Sequence, residues 1–198
     1  MVSVVGLDLA GVETRPTGFC RLVGLRAETT NLYTNEEVLK KIRNSKPKVV
    51  AIDAPISLPP GRKTIENRTG EHLRDSDREL LRRGIKFFPI TLGPMRKLTK
   101  RGIELRRILE GEGFKVIETY PGGAQDVLAI SRKHHGIDRL KTGLEALGIT
   151  GINNVLSDHE LDAVTCAYVG KLFLDGKAEC YGPPYDAIIM PKGEKRRA

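Results

Sequence analysis

Apolar and polar positions divide the chain into strand-like runs followed by helical ones. Ser3 to Ala10 (SVVGLDLA) is apolar on both alternating faces, as a central strand covered on two sides would be. Turn residues from Gly11 to Gly18 separate it from a second strand at Phe19 to Leu25, and a third around Arg26 to Tyr33 completes a meander. Asn35-Glu36-Glu37 opens a helix over Glu36 to Ser45, with Thr34 as N-cap. Lys48 to Ala54 (KVVAIDA) then reads as a strand paired in parallel after a right-handed crossover. A fifth strand is predicted at Phe114 to Tyr120, stopped by Pro121-Gly122-Gly123, which reads as a turn or a backbone nest for an anion. Helices follow near Gln125 to Ala129, Ile137 to Leu147 and Asp158 to about Asp175.

Together these elements predict a three-layer α/β/α domain over residues 1–191 with a mixed five-stranded sheet. Residues 56–113, with helices at Glu71 to Arg83 and Met95 to Glu110, read as a mostly helical insertion laid over one end of the sheet. The tail, Lys192 to Ala198, reads as disordered and basic.

Composition narrows the function classes. Three cysteines without a C-x-x-C pair argue against a disulfide framework or a zinc ribbon. With no long apolar run and no basic leader, a cytoplasmic protein without a membrane span is expected. The absence of Trp and 5% aromatic content disfavour a base-stacking platform. The net charge of +8 points to a polyanionic partner, and it is local: Pro60 to Glu110 holds fourteen Lys and Arg against seven acids.

Three apolar strands each carry a carboxylate at or near their C-terminal end: Asp8 in GLDLA, Asp53 in AIDAP and Glu118 in IETYP. Buried carboxylates need partners or a cation, and these strands contain no matching buried Arg or Lys. In open α/β sheets the functional crevice also lies beyond the carboxyl ends of the strands. On the last helix Ser157 and Glu160 fit a capping box, which gives Glu160 a local job, while Asp158 and Asp162 fall on the side facing the sheet. Asp158 reads equally as a first-turn acid or a ligand, and His159 as a ligand or proton shuttle. Asp8, Asp53 and Asp162, with Glu118 nearby to assist in metal binding or proton transfer, form an oxygen-only set suited to Mg²⁺ or Mn²⁺, and paired metals on such sets drive in-line phosphoryl displacement. Arg74, Arg78 and Arg82 lie on about two turns of one helix and would either hold phosphate or pair with Asp75, Asp77 and Glu79.

This order of elements resembles the RNase H-like fold, including Holliday-junction resolvases of the RuvC type. GLDLAG, AIDAPISLP, DSDRELLRRG, ETYPGGA and HELDAVTCAY look like the signature blocks of an uncharacterised family of predicted nucleases with that resolvase-like fold. The resemblance implies that Asp8, Asp53 and Asp162 hold metal, with His159 beside them. The function expected is metal-dependent hydrolysis of phosphodiester bonds in DNA or RNA. Two alternatives are hydrolysis of a small phosphorylated compound by the same cluster and a nucleic-acid-binding module without turnover. GLDLAG also resembles the first phosphate loop of actin-like ATPases, but 198 residues are too few for the two domains those enzymes need. The sequence is compatible with a homodimer.

Overall fold

The computed structural model describes residues 2–67, 69–152 and 157–193. Seven strands form one mixed sheet in the order β3-β2-β1-β4-β5-β7-β6. They are β1 (Ser3–Asp8), β2 (Thr17–Val23), β3 (Arg26–Leu32), β4 (Val49–Asp53), β5 (Val116–Thr119), β6 (Ala178–Tyr181) and β7 (Ile188–Pro191). β1, β4, β5 and β7 pair in parallel, while the β1–β2, β2–β3 and β6–β7 pairings are antiparallel.

Five strands are expected from the sequence and seven are found. The additional two are four residues each, AECY and IIMP, too short to show a period. β7 is buried because it fills the slot between β5 and β6, a placement set by the return of the chain after the last helix.

Alternation along β1 and β4 sorts their side chains onto two faces. Val5, Leu7, Val50 and Ile52 pack on one side with Val38 and Ile42 of α1 (Asn35–Ser45) and Leu105 and Leu109 of α3 (Gly93–Gly111). The helix expected at Met95 to Glu110 therefore belongs to the layer covering the sheet. Only the segment 56–92, with α2 (Asp75–Arg82), remains over the carboxylate end. Val4, Val49 and Ala51 face the other way, toward α6 (Asp158–Leu174), with α4 (Pro121–Val127) and α5 (Ile137–Ala146) alongside.

Helix α6 lies directly on the strands. A Cβ on Gly6 would sit 2.1 Å from the Ala163 carbonyl oxygen, and one on Gly18 2.0 Å from that of His159. Only glycine permits so close an approach, which lowers the first turns of α6 onto the end of β1. The predicted caps are formed: Thr34 with Glu37 on α1, and Ser157 with Glu160 on α6. Pro121-Gly122-Gly123 is not a free turn or nest but the first turn of α4, with proline at a position where no N–H is needed. Residues 194–198 of the expected disordered tail lie outside the described residues, while Lys192 donates to the Gly176 carbonyl at 2.7 Å. Among the described residues no helix is long and apolar enough to cross a membrane.

Candidate functional site

Asp8 and Asp53 end adjacent parallel strands and stand in register with each other. Both fall on the α6 face, because each lies two residues beyond a side chain that packs there or, at Gly6, against the helix itself. From above, α6 contributes Asp162, buried at 4% exposure, and His159, one of whose ring nitrogens, Nδ1, is 2.7 Å from Asp8 Oδ2. Three carboxylates from three separate elements thus lie near one another at the C-terminal ends of the parallel strands, close enough for Asp8 and Asp162 to act on the charge of Asp53.

Their electrostatics are unbalanced. Among the described residues Asp53 has neither a hydrogen bond nor an ion pair, and burial, reinforced by the charges of Asp8 and Asp162, pushes its pKa well above the usual carboxylate range. Burial likewise raises Asp162, against the pull of Lys133. The Lys133 ammonium, on a 3-10 turn at Lys133–His135, is 2.8 Å from Asp162 Oδ2 and 3.4 Å from Asp158 Oδ2. Gln125 of α4 donates to the other Asp162 oxygen at 2.8 Å, fixing the plane of that carboxylate. His159 is raised above its ordinary value, first by its hydrogen bond to Asp8, so the imidazolium is favoured.

Glu118 does not join this group. It pairs with Ile52 in the β4–β5 register and so lies on the opposite face of the sheet from Asp8 and Asp53. Arg74 grips both its oxygens at 2.7 Å, and the Ile56 N–H donates to one of them at 2.9 Å. The buried arginine that the strands lack comes from the segment before α2. Arg74 is only 2% exposed, also bonds Asp77 at 2.9 Å, and lies 3.6 Å from Asp186. Its expected part in phosphate binding is therefore corrected: it neutralises buried acids. Arg78 pairs with Asp75 and Glu71, and Arg82 with Glu79. Arg62 and Arg101 are also turned inward, onto backbone carbonyls. Much of the local positive charge thus holds the protein together.

Asp8, Asp53 and Asp162 are brought together with His159, and Asp158 sits at their edge through Lys133. Among the described residues no group of three or more His, Cys, Asp or Glu side chains is placed to hold a metal ion as it stands. The donors nonetheless fit a hard divalent cation in kind: all are carboxylate oxygens, one carries no counter-ion, and each raises the cost of ionising its neighbour. Lys133 and Gln125 escape sequence reasoning. The run Arg132-Lys133-His134-His135 is a visible signal for the first, and nothing in the sequence marks the second.

Beside the cluster a cavity of about 350 Å³ opens, lined by Asp53 and Asp162 among mostly apolar walls. The segment 56–92 and the start of α3 form much of its wall, including Phe87, Phe88, Ile90 and Met95.

Comparison with known proteins agrees with this architecture. The model of the DUF429 family, described as a protein of unknown function, matches residues 6–186, a span containing every acid discussed above. No curated protein sequence matches significantly. The fold is similar to Thermus thermophilus RuvC in complex with a Holliday junction substrate, with a TM-score of 0.54 at 13% identity over 96% of this chain and 100% of that one. A second Thermus thermophilus RuvC structure gives a TM-score of 0.51, also at 13% identity and the same coverage. The α/β, resolvase-like fold read from the sequence is the fold observed.

Proposed function

We propose, for a chain that belongs to the DUF429 family, metal-dependent hydrolysis of phosphodiester bonds in cytoplasmic nucleic acid, carried out by residues 1–191 as one domain. The observation that carries this reading is the in-register pair Asp8 and Asp53 under Asp162, with Asp53 left without a counter-ion. Asp8, Asp53 and Asp162 would hold Mg²⁺ or Mn²⁺, with Asp158 at the margin. A bound divalent cation supplies water activation and charge neutralisation at the phosphoryl group. His159, hydrogen-bonded to Asp8, holds a proton that it can give to the leaving oxygen. Lys133 must release Asp162 for the cation to enter, and it is then free to meet a phosphate. Glu118, Arg74 and Asp77 brace the floor of the cavity rather than join the chemistry. The fold neighbour bound to a Holliday junction supports nucleic acid as substrate.

A second reading, hydrolysis of a small phosphorylated compound, is favoured by the internally paired arginines and the confined cavity. The test is calorimetric titration of Mn²⁺ into the protein and into Asp8→Asn and Asp162→Asn. A nuclease assay on single-stranded, duplex and branched substrates accompanies it. Saturable binding and cleavage lost in both variants are expected. Metal binding without cleavage would favour the small substrate, and no binding at millimolar metal would refute the catalytic reading.

A further inference from the structure

The cavity beside the carboxylates differs from the rest of the surface in composition. Five Phe and five Tyr are too few for an extended base-stacking platform, yet Phe87, Phe88 and Tyr120 line this one space, enough for a single ring, joined by Ile90, Met95 and Leu98. Phe88 is 72% exposed, more than any other large apolar side chain among the described residues. Tyr120 is held rigid: its hydroxyl donates to the Lys86 carbonyl at 2.8 Å, and the Arg132 guanidinium lies 5.8 Å from its ring centre. An exposed phenylalanine and a fixed tyrosine lining the same largely apolar space offer π-faces to a planar ring.

Size and position narrow the occupant further. A volume of about 350 Å³ lies at the low end of small-ligand sites, enough for a nucleotide unit and far too small for a duplex. Asp53 and Asp162 line the same cavity, so a nucleotide with its base there would have its phosphate within reach of the carboxylates. Charge outside the cavity is consistent with a strand leading away from it. Lys86, Arg96 and Lys97 adjoin the wall residues in sequence and, among the described residues, have no side-chain hydrogen bond or ion pair, unlike Arg62, Arg74, Arg78 and Arg101.

We propose that this cavity is a subsite for one unpaired nucleobase, so that the substrate is a single strand or a nucleotide displaced from pairing at the phosphate to be cut. The inference rests on the phosphodiesterase reading above and names its substrate class. Enzymes that must admit one base to a confined pocket take it from a single strand or extrude it from pairing, and a pocket of this size imposes the same requirement.

The test is fluorescence anisotropy with three labelled probes in Ca²⁺: a mixed-sequence single-stranded octanucleotide, an abasic strand of the same length and a blunt duplex. Wild-type protein should bind the base-bearing strand about tenfold more tightly than the abasic one, the factor expected of one stacked base. Phe88→Ala removes a side chain that buries little of itself, so the fold is retained, and it should shrink that difference to about twofold. Equal affinity for abasic and base-bearing strands in the wild type, a difference that Phe88→Ala leaves intact, or tightest binding of the duplex would each overturn the subsite. Base-selective binding in a protein that takes up no Mn²⁺ by calorimetry would support the cavity and remove the hydrolase reading. Mn²⁺ uptake without base selectivity would do the reverse.

Discussion

Replacing Asp53 by Asn should make the metal-free protein more stable. The ionised side chain stands without a counter-ion beside Asp8 on the neighbouring strand, and Lys133, which draws it the other way, is held by Asp162. Carboxylates on adjacent strands about 5 Å apart repel by about 3 kcal/mol at an effective dielectric of about 20. Solvent at the mouth of the cavity screens this to about 2 kcal/mol. For a chain of this length that is a rise in melting temperature of about 4 to 8 °C. The pH dependence follows from the direction of the shift. With its folded pKa raised above an unfolded value of about 3.9, Asp53 weakens the wild type at every pH above that unfolded value, because there the unfolded chain gives up the proton more readily than the folded one. The advantage of Asp53→Asn should vanish below about pH 4, open as pH rises and become constant once folded Asp53 has lost its proton. Differential scanning calorimetry in EDTA from pH 3.5 to 8 reads this directly. Added Mn²⁺ should then raise the wild type more than the variant and narrow the gap. A variant no more stable than wild type at pH 7 in EDTA, or a gap that persists at pH 3.5, would refute the argument.

Three further outcomes are expected. Lys133→Met should bind Mn²⁺ about tenfold more tightly in calorimetry, because the ammonium 2.8 Å from Asp162 competes with the cation, and unchanged affinity would count against that competition. Arg74→Met strands Asp77, Glu118 and Asp186 without their shared guanidinium and should cost about 3 to 5 kcal/mol in denaturant unfolding. A loss under about 1 kcal/mol would mean the network relaxes freely. In an NMR titration the His159 imidazole should titrate above its ordinary value in the wild type and fall back toward about 6.5 in Asp8→Asn. The stability that charged His159 contributes is accordingly present below about pH 6.5 and disappears as pH climbs through its higher folded value, so His159→Gln should trail the wild type at pH 6 and match it at alkaline pH.

Much of the fold was legible because its central strands are covered on both faces and announce themselves as short apolar runs closed by turn residues. β1 and β4 are found within two residues of expectation at either end, and the Thr34 and Ser157 caps are where their spacing places them. β6 and β7 were not legible, since four residues carry no period and their pairing depends on where α6 returns the chain. The α3 helix was misplaced for a related reason. Its basic face dominates the sequence, while Leu105 and Leu109, the residues that join it to the sheet, are few.

For the candidate site, the sequence by itself determined the acids: their type, their place at strand ends, and Asp162 on the buried side of the last helix. Only the tertiary structure decided which of them meet. Strand pairing puts Asp8 and Asp53 on one face and Glu118 on the other, because side chains alternate with a period of two and register is fixed between chains of residues distant in sequence. The same holds for the arginines. Arg74 carries the same charge in the sequence whether it meets phosphate or buried carboxylates, and the segment before α2 turns it inward because Glu118, Asp77 and Asp186 await a counter-ion in a place water does not reach.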